Sequence, residues 1–315
     1  MAVYNRIGGM NKVTLNGKPP KDRINLNETL SQKYIGNFKN NNEYAEGIAY
    51  SPKIDNYLFC MRINGWDIYT LDKENYLGEI ICIKGLPYSS FYRISMFTRN
   101  NDIYLMLGIK IYMYDVETKN FTEVETSLPE DFNTVYFCAC FYIKESDELI
   151  VIGKNFIGKY SFKNKISTVI SKNFPDDDIA RRSICVLKED KLYFLGTNTT
   201  KKDVTIYDLK KSTITTYNDA LPYPIQDDTY EGRSSTKAFV LDGKIYILRL
   251  NALNQDLYSA FVETENIKKW DKISRLDTRF AGFKTIMATK DDNTVFFLNM
   301  LREYSYEIKK AYVKE

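Results

Sequence analysis

Apolar and aromatic residues recur along this chain in short clusters, each preceded by a polar turn and followed by further apolar segments. Six clusters of three residues stand out, and their central residues are Leu58, Tyr104, Ile150, Tyr193, Tyr246 and Phe296. Successive centres lie 46, 46, 43, 53 and 50 positions apart. A repeat of this length is typical of the blades of a propeller. Because each unit can bury its two faces only against its neighbours, the pattern predicts a ring of packed sheets.

The predicted fold class is therefore all-β, a six-bladed β-propeller of four-stranded antiparallel blades. The blades are expected at about 46–80, 92–125, 134–170, 181–218, 233–274 and 281–310. The sixth blade lacks an outer strand of its own. Residues 33–38 resemble the fourth strand of the first blade, so we expect this N-terminal strand to complete the sixth blade and close the ring at 31–315.

Residues 1–30 precede the closing strand and belong to no predicted blade. They contain one short strand candidate, residues 12–15, between Gly8-Gly9 and Pro19-Pro20. One interpretation is a flexible leader, because chain termini often lack order. The other is a docking arm that adds a strand to the sheet of another subunit.

Composition narrows the classes of partner. Of 315 residues, 44% are hydrophobic, which suffices for one large core, and 44 basic against 41 acidic residues give a net charge of +3 without long blocks of one sign. This pattern does not favour nucleic-acid binding. The N-terminus lacks the apolar run of a secretory signal, and no segment is long enough to span a bilayer. We therefore expect cytoplasmic synthesis without membrane insertion.

The chain contains no histidine, and this limits its chemistry. Catalysis by a Ser-His or Cys-His unit is excluded, because both need an imidazole base. The cysteines show neither metal-ligand nor redox spacing; they are Cys60, Cys82, Cys138, Cys140 and Cys185. We therefore predict no metal, no cofactor and no enzyme, with carboxylate, Lys or Tyr chemistry as the remaining catalytic option.

Two predicted blades carry a more specific pattern. In the second blade it consists of Tyr104, Gly108, Tyr114, Asp115, Leu128 and Pro129. The fourth blade repeats it at Gly196, Tyr207, Asp208, Leu221 and Pro222. The pattern resembles the kelch repeat, and departs from it by a single glycine where that family has a doublet. The resemblance implies a degenerate kelch-like propeller, a fold whose members are mostly protein-binding modules with a minority of sugar-handling enzymes.

Four arginines lie near the predicted entries to the inner strands of their blades: Arg93, Arg182, Arg233 and Arg279. Since these entries surround one mouth of the channel, the arginines are candidates for a cationic ring that binds a carboxylate or another acidic ligand. The alternative is that each arginine pairs with an acid of a neighbouring blade.

Loop aromatics provide a second candidate surface. Tyr92, Tyr223 and Tyr230 are expected to form an amphipathic patch for a protein or sugar partner. The acidic runs at 176–178, 227–228 and 291–292 lack the alternating spacing of a calcium loop, so we expect solvated turns there.

These observations favour a non-enzymatic interaction or structural propeller. The Lys, Asn, Ile and Tyr content and the N-terminal arm suggest a subunit of a phage tail or phage-tail-like particle, with residues 1–30 binding a protein partner or large assembly. One alternative is a carbohydrate-binding, receptor-recognition propeller that holds a surface glycan. Another is a carboxylate- or Tyr-dependent sugar-converting enzyme.

Overall fold

The computed structural model describes residues 2–7, 10–15, 26–37, 45–62, 66–71, 77–83, 94–107, 110–124, 139–153, 155–176, 179, 183–197, 201–225, 227–228, 233–234, 236–250, 257–264, 266–277, 285–291, 294–299 and 304–314. The described structure consists almost entirely of strands. Across these residues, no helix has the length and apolar character needed to cross a membrane.

The strands begin with β1 (Ala2–Ile7), β2 (Met10–Leu15) and β3 (Leu26–Asn37). The first sheet contains β4 (Ala45–Ser51), β5 (Asn56–Arg62), β6 (Trp66–Leu71) and β7 (Leu77–Ile83). The second sheet contains β8 (Ile94–Arg99), β9 (Asp102–Leu107), β10 (Lys110–Asp115) and β11 (Asn120–Val124). The third contains β12 (Ala139–Ile143), β13 (Glu148–Gly153), β14 (Phe156–Ser161) and β15 (Ile166–Lys172).

The fourth sheet contains β16 (Ile184–Lys188), β17 (Lys191–Leu195), β18 (Val204–Asp208) and β19 (Thr213–Tyr217). A short pair, β20 (Asp227–Asp228) and β21 (Arg233–Ser234), follows it. The fifth sheet contains β22 (Lys237–Leu241), β23 (Lys244–Leu250), β24 (Leu257–Glu263) and β25 (Trp270–Asp277). The sixth contains β26 (Thr285–Asp291), β27 (Thr294–Asn299), β28 (Tyr304–Lys314) and β3.

The structure confirms the all-β class and the antiparallel four-stranded sheets, which form a propeller-like ring. All six predicted cluster centres lie in the second strand of a sheet and are buried. Tight turns link the first and second strands. At Asn100 and Asn101 both φ angles are positive, 51° and 68°, which is the backbone of a two-residue hairpin turn.

The N-terminal strand pairs with the last strand, as the sequence predicts. The register runs from Tyr304 opposite Asn37 to Lys314 opposite Leu26, so the pairing is longer than the predicted 33–38. Residues 26–30, which we assigned to the arm, therefore belong to β3. Leu30 is fully buried, in a cluster with Tyr246, Val295 and other core side chains of the fifth and sixth sheets.

The predicted strand at 12–15 is also present, as the C-terminal part of β2. It pairs with β1 in an antiparallel hairpin, Ile7 opposite Met10, rather than standing alone between breakers.

Apolar clusters join each sheet to the next around the ring. They link the first to the second, the second to the third, the third to the fourth, the fourth to the fifth and the fifth to the sixth sheet. Between the sixth and first sheets, Phe296 stacks on Tyr57 with the ring centroids 3.9 Å apart, and lies 6.0 Å from Phe59. Both sheet faces are therefore packed, which accounts for the near-continuous burial of the second strands.

The two rims of the ring differ. The turns between the first and second strands of the sheets, at 52–55, 100–101, 144–147, 189–190 and 242–243, lie at one rim, which we call the turn rim. Because alternate strands reverse direction, the chain leaves one sheet and enters the next at the opposite rim, the connection rim. Of the described residues, 173–176 and 218–225 belong to such connections.

Candidate functional site

Most of the predicted site residues lie outside the described residues: Arg93, Arg182, Arg279, Tyr92 and Tyr230. Arg233 is in β21, where its backbone pairs with Asp228. The cationic ring that we expected from the four arginines stays a prediction.

Tyr223, a candidate for the loop-aromatic patch, is described and is buried rather than on the surface. The segment that contains it folds back along the fourth sheet, where the backbone N–H of Leu221 donates to the Lys202 carbonyl and that of Ile225 to the Lys201 carbonyl. Every second side chain of this segment is buried, Tyr223 among them at 4% exposure, while the intervening prolines are exposed. Tyr223 therefore belongs to the core between the fourth and fifth sheets.

Arg249 stacks on this buried tyrosine. The guanidinium carbon of Arg249 lies 4.4 Å from the centroid of the Tyr223 ring, near the connection-rim end of β23. Its Nε and the Tyr223 hydroxyl are both buried without a hydrogen-bond partner. Burial raises the pKa of Tyr223 well above its ordinary value, although the Arg249 charge opposes that rise. The pair is thus a polar centre in an apolar surrounding.

A second arginine, Arg99, occupies a fully paired site at the turn rim. Its Nε and Nη2 donate to the two carboxylate oxygens of Asp147, at 2.6 and 2.8 Å, and its Nη1 donates to the Tyr104 hydroxyl at 2.9 Å. The guanidinium carbon lies 4.3 Å from the centroid of the Phe162 ring. Tyr142 donates to Asp147 at 2.9 Å, and burial together with this bond raises the pKa of Tyr142 to about 12. This bidentate geometry fixes the second sheet against the third.

Further ion pairs join other sheets at the turn rim. Lys53 of the first sheet binds Asp102 of the second at 2.6 Å, and Lys290 of the sixth binds Asp55 of the first at 3.0 Å. Lys188 of the fourth sheet donates to the buried Glu263 of the fifth. The four described ion pairs that connect different sheets therefore all lie at the turn rim, where each holds two neighbouring sheets together.

A cavity of about 550 Å³ lies in the channel, where the inner strands of the third to sixth sheets face one another. Its described lining combines apolar residues such as Phe141, Val186 and Phe239 with Tyr142, Cys185, Asp242 and Thr289. Tyr142 already donates to Asp147.

The acidic runs were expected to be turns. Asp176 fits that expectation, whereas the expectation is wrong for Asp227 and Asp228, which form β20, and for Asp291, which ends β26. Asp176 is exposed, and its carboxylate accepts a hydrogen bond from the backbone N–H of Ile179 at 2.8 Å. In the part of the chain that the structure describes, His, Cys, Asp and Glu form no group of three or more able to hold a metal ion.

Sequence reasoning missed both Arg99 and Arg249. For Arg249 a signal exists, because this residue interrupts the apolar run of β23, where Ile245, Tyr246, Ile247 and Leu248 are all buried. A charge within such a run is costly unless it is paired, so it marks a site with a specific role. For Arg99 the signal is the acid one repeat further along, since Asp147 is 48 positions away.

Comparison with known proteins supports the fold. No family model matches the sequence, and no curated protein sequence matches it. Among solved structures, the chain is similar to a structural genomics protein of unknown function from Bacteroides thetaiotaomicron VPI-5482, with a TM-score of 0.61, 10% identity and coverage of 98% of this chain and 82% of that one. It is also similar to YjhT, with a TM-score of 0.54, 9% identity and coverage of 87% of this chain and 98% of that one. At these identities the likeness concerns the propeller-like fold alone.

Proposed function

We propose that this protein is a non-enzymatic binding propeller, an interaction or structural subunit that presents its connection rim to a partner. The observation that carries the proposal is the contrast between the rims. Among the described residues, inter-sheet ion pairs hold the turn rim, whereas the connection-rim end of β23 carries an arginine without a described carboxylate partner. Binding residues are commonly found on segments that a rigid scaffold positions.

We further propose that the six sheets are the blades of one closed, kelch-like ring. Two matching motifs support this interpretation. Tyr114 and Tyr207 are both buried, and the aspartates that follow them, Asp115 and Asp208, each accept backbone N–H groups of the next turn. Gly196 has a φ of +85°, and a Cβ there would lie 2.7 Å from Ile225, so glycine is required at this motif position.

The N-terminal hairpin is the proposed tether to a larger assembly, such as a phage tail or phage-tail-like particle. It precedes β3 in the chain, and β3 is part of the ring. A test of the tether must therefore leave β3 intact. A version that contains residues 21–315 removes β1 and β2 and keeps the whole of β3.

The test is affinity purification from the native source with three baits: the full chain, residues 21–315 and the double substitution Phe91→Ala/Tyr92→Ala in the 84–93 segment. Proteins that co-purify are identified by mass spectrometry. We expect the full chain to retain a defined partner. The truncated bait should lose this partner if the hairpin binds it, and the doubly substituted bait should lose it if the connection rim binds it.

The control bait carries Ile166→Ser, because Ile166 is 58% exposed on the outer strand β15, away from both proposed surfaces. This bait should retain whatever the full chain retains. If the full chain retains no protein, or if truncation and double substitution both leave retention unchanged, the proposed interaction function is wrong.

A further inference from the structure

Arg249 has the beginnings of an anion site that its own chain does not complete within the described residues. The guanidinium lies over the Tyr223 ring, and no described carboxylate accepts from it. Its Nε is buried without a hydrogen-bond partner. A partly buried guanidinium without a counter-charge is an incomplete ion pair, and an anion that approaches its terminal nitrogens supplies the missing charge.

Arg99 shows what completes such a site in this same fold. Both arginines lie over an aromatic ring, at 4.3 Å for Arg99 on Phe162 and 4.4 Å for Arg249 on Tyr223. Arg99 has in addition the two oxygens of Asp147, at 2.6 and 2.8 Å. At Arg249 the aromatic support is present and the carboxylate is absent from the described residues.

Arg249 lies at the opposite rim of the ring from Arg99, and this position leaves its guanidinium open to a ligand. Arg99 lies at the turn rim, where its carboxylate belongs to the neighbouring sheet. Arg249 lies at the other end of its sheet, beside the connection rim, and the residue as a whole is only half-buried. Since Nε is enclosed, an incoming anion reaches the guanidinium from its terminal nitrogens.

We propose that Arg249 and Tyr223 form a carboxylate-binding subsite at the connection rim, in which a carboxylate of the bound partner binds the two terminal nitrogens of Arg249 and supplies the counter-charge that Asp147 supplies to Arg99. The guanidinium fork matches a carboxylate in two hydrogen bonds, and the Tyr223 ring keeps the fork in place. The ligand group is the carboxylate itself, which a sugar acid or an acidic side chain equally provides. The subsite rests on the proposed binding function and specifies the chemistry that it recognises.

The experiment is a titration of the full chain, labelled with ¹⁵N at arginine side chains, by sodium acetate, D-glucuronate and N-acetyl-glutamate amide. Sodium chloride at equal ionic strength and neutral D-glucose are the reference additions. The Nε–H resonance of Arg249 is assigned by its loss in Arg249→Lys. We expect this resonance to shift saturably with all three carboxylates and with neither reference, with a Kd in the range of about 1–10 mM for so small a contact.

Two variants test the assignment. Arg249→Gln should weaken carboxylate binding at least tenfold, and Arg249→Lys several-fold, because lysine keeps the charge and loses the fork. Lys110→Gln, which removes an exposed cation elsewhere, should leave binding unchanged. If Arg249→Gln fails to fold, the wild-type titration and the Arg249→Lys variant still test whether Arg249 binds carboxylates.

The proposal is overturned if carboxylates shift the Arg249 resonance no more than chloride does, or if Arg249→Gln binds them as the wild type does. A stronger response to D-glucuronate than to N-acetyl-glutamate amide identifies a sugar acid as the source, and the reverse order identifies an acidic protein segment. A partner that the affinity purification retains equally with wild type and Arg249→Gln would refute the subsite and leave the binding function standing.

Discussion

Arg99 and Arg249 place the same side chain in two electrostatic settings. At Arg99 the hydrogen bonds to Asp147 raise the pKa of the arginine and lower that of the aspartate, so both groups stay charged. Tyr142 and Tyr104 satisfy further atoms of this network. At Arg249 an aromatic ring alone accompanies the guanidinium among the described residues. Arg99 and Arg249 therefore differ in counter-charge within the part of the chain that the structure describes.

The Arg99 network leads to a stability prediction. Asp147→Asn removes the charge that faces a guanidinium of only 17% side-chain exposure, and it should lower the free energy of unfolding by about 1–3 kcal/mol. Urea unfolding at pH 7 measures the change. The matched control is Glu123→Gln, which breaks the exposed pair with Lys110 and should leave the unfolding midpoint unchanged.

The same pair fixes the sign of a pH effect. The Arg99 hydrogen bonds hold the pKa of Asp147 below its usual value, so this contribution is fully present above about pH 4 and is lost as pH falls through the lowered folded-state pKa. The stability gap between wild type and Asp147→Asn should therefore narrow below about pH 4. A stability difference between the two proteins that stays constant down to pH 2 would contradict the charged pairing of Asp147 with Arg99.

The partners of some of these residues can be predicted from the sequence, whereas the burial of others cannot. Asp147 lies one repeat beyond Arg99, and Asp102 one repeat beyond Lys53, so alignment of the repeats brings such cross-sheet pairs into register. Tyr223 is different: its burial depends on a segment folding back to the carbonyls of Lys201 and Lys202, a tertiary contact that loop composition does not specify.

At the scale of elements, the sequence predicts the middle of each sheet better than its ends. The six second strands contain the six predicted centres, because strands buried on both faces are nearly continuous apolar runs. The ends of β3 and β28 were missed. Residues 26–31 and 309–314 are too polar to be identified alone, and each is a strand because the other pairs with it.

Leu30 tests whether this added length of β3 contributes to the core. It is fully buried among side chains of the fifth and sixth sheets, so Leu30→Ala should cost about 2–5 kcal/mol through lost burial and the cavity left behind. The control Ile214→Ala alters a side chain that is 51% exposed on β19 and should change stability by less than about 0.5 kcal/mol.

Denaturant unfolding of both variants distinguishes the outcomes. A shifted midpoint with an unchanged slope identifies a loss of stability rather than a change in the denatured state. Equal midpoints for Leu30→Ala and Ile214→Ala would mean that residues 26–31 contribute nothing to the core.

At the scale of the whole molecule, the two ends of the chain meet in one sheet. Five sheets are each formed by consecutive strands, whereas the sixth takes its outer strand from the N-terminal region. The first and last parts of the chain must therefore both be present before the last sheet is complete. Without β3, one edge of β28 would be unpaired, and an unpaired edge is prone to join another chain.

A circular permutant tests this dependence. Lys314 lies opposite Leu26, so an Asn-Gly turn can join residue 314 to residue 26, with the new ends placed between residues 40 and 41. In this order β3 follows β28 directly, as the outer strand follows its neighbour in the other five sheets. The contacts of the native ring are kept, and the long-range pairing of β3 becomes local.

We therefore expect the permutant to refold faster than residues 26–315 in the native order, because the entropy of closing the chain no longer limits the last sheet. Stopped-flow fluorescence after dilution from urea measures both rates, while a variant that lacks residues 1–37 should aggregate under the same conditions. A permutant that refolds at the native rate would mean that pairing of β3 with β28 follows the rate-limiting step, and one that fails to fold would contradict the pairing itself.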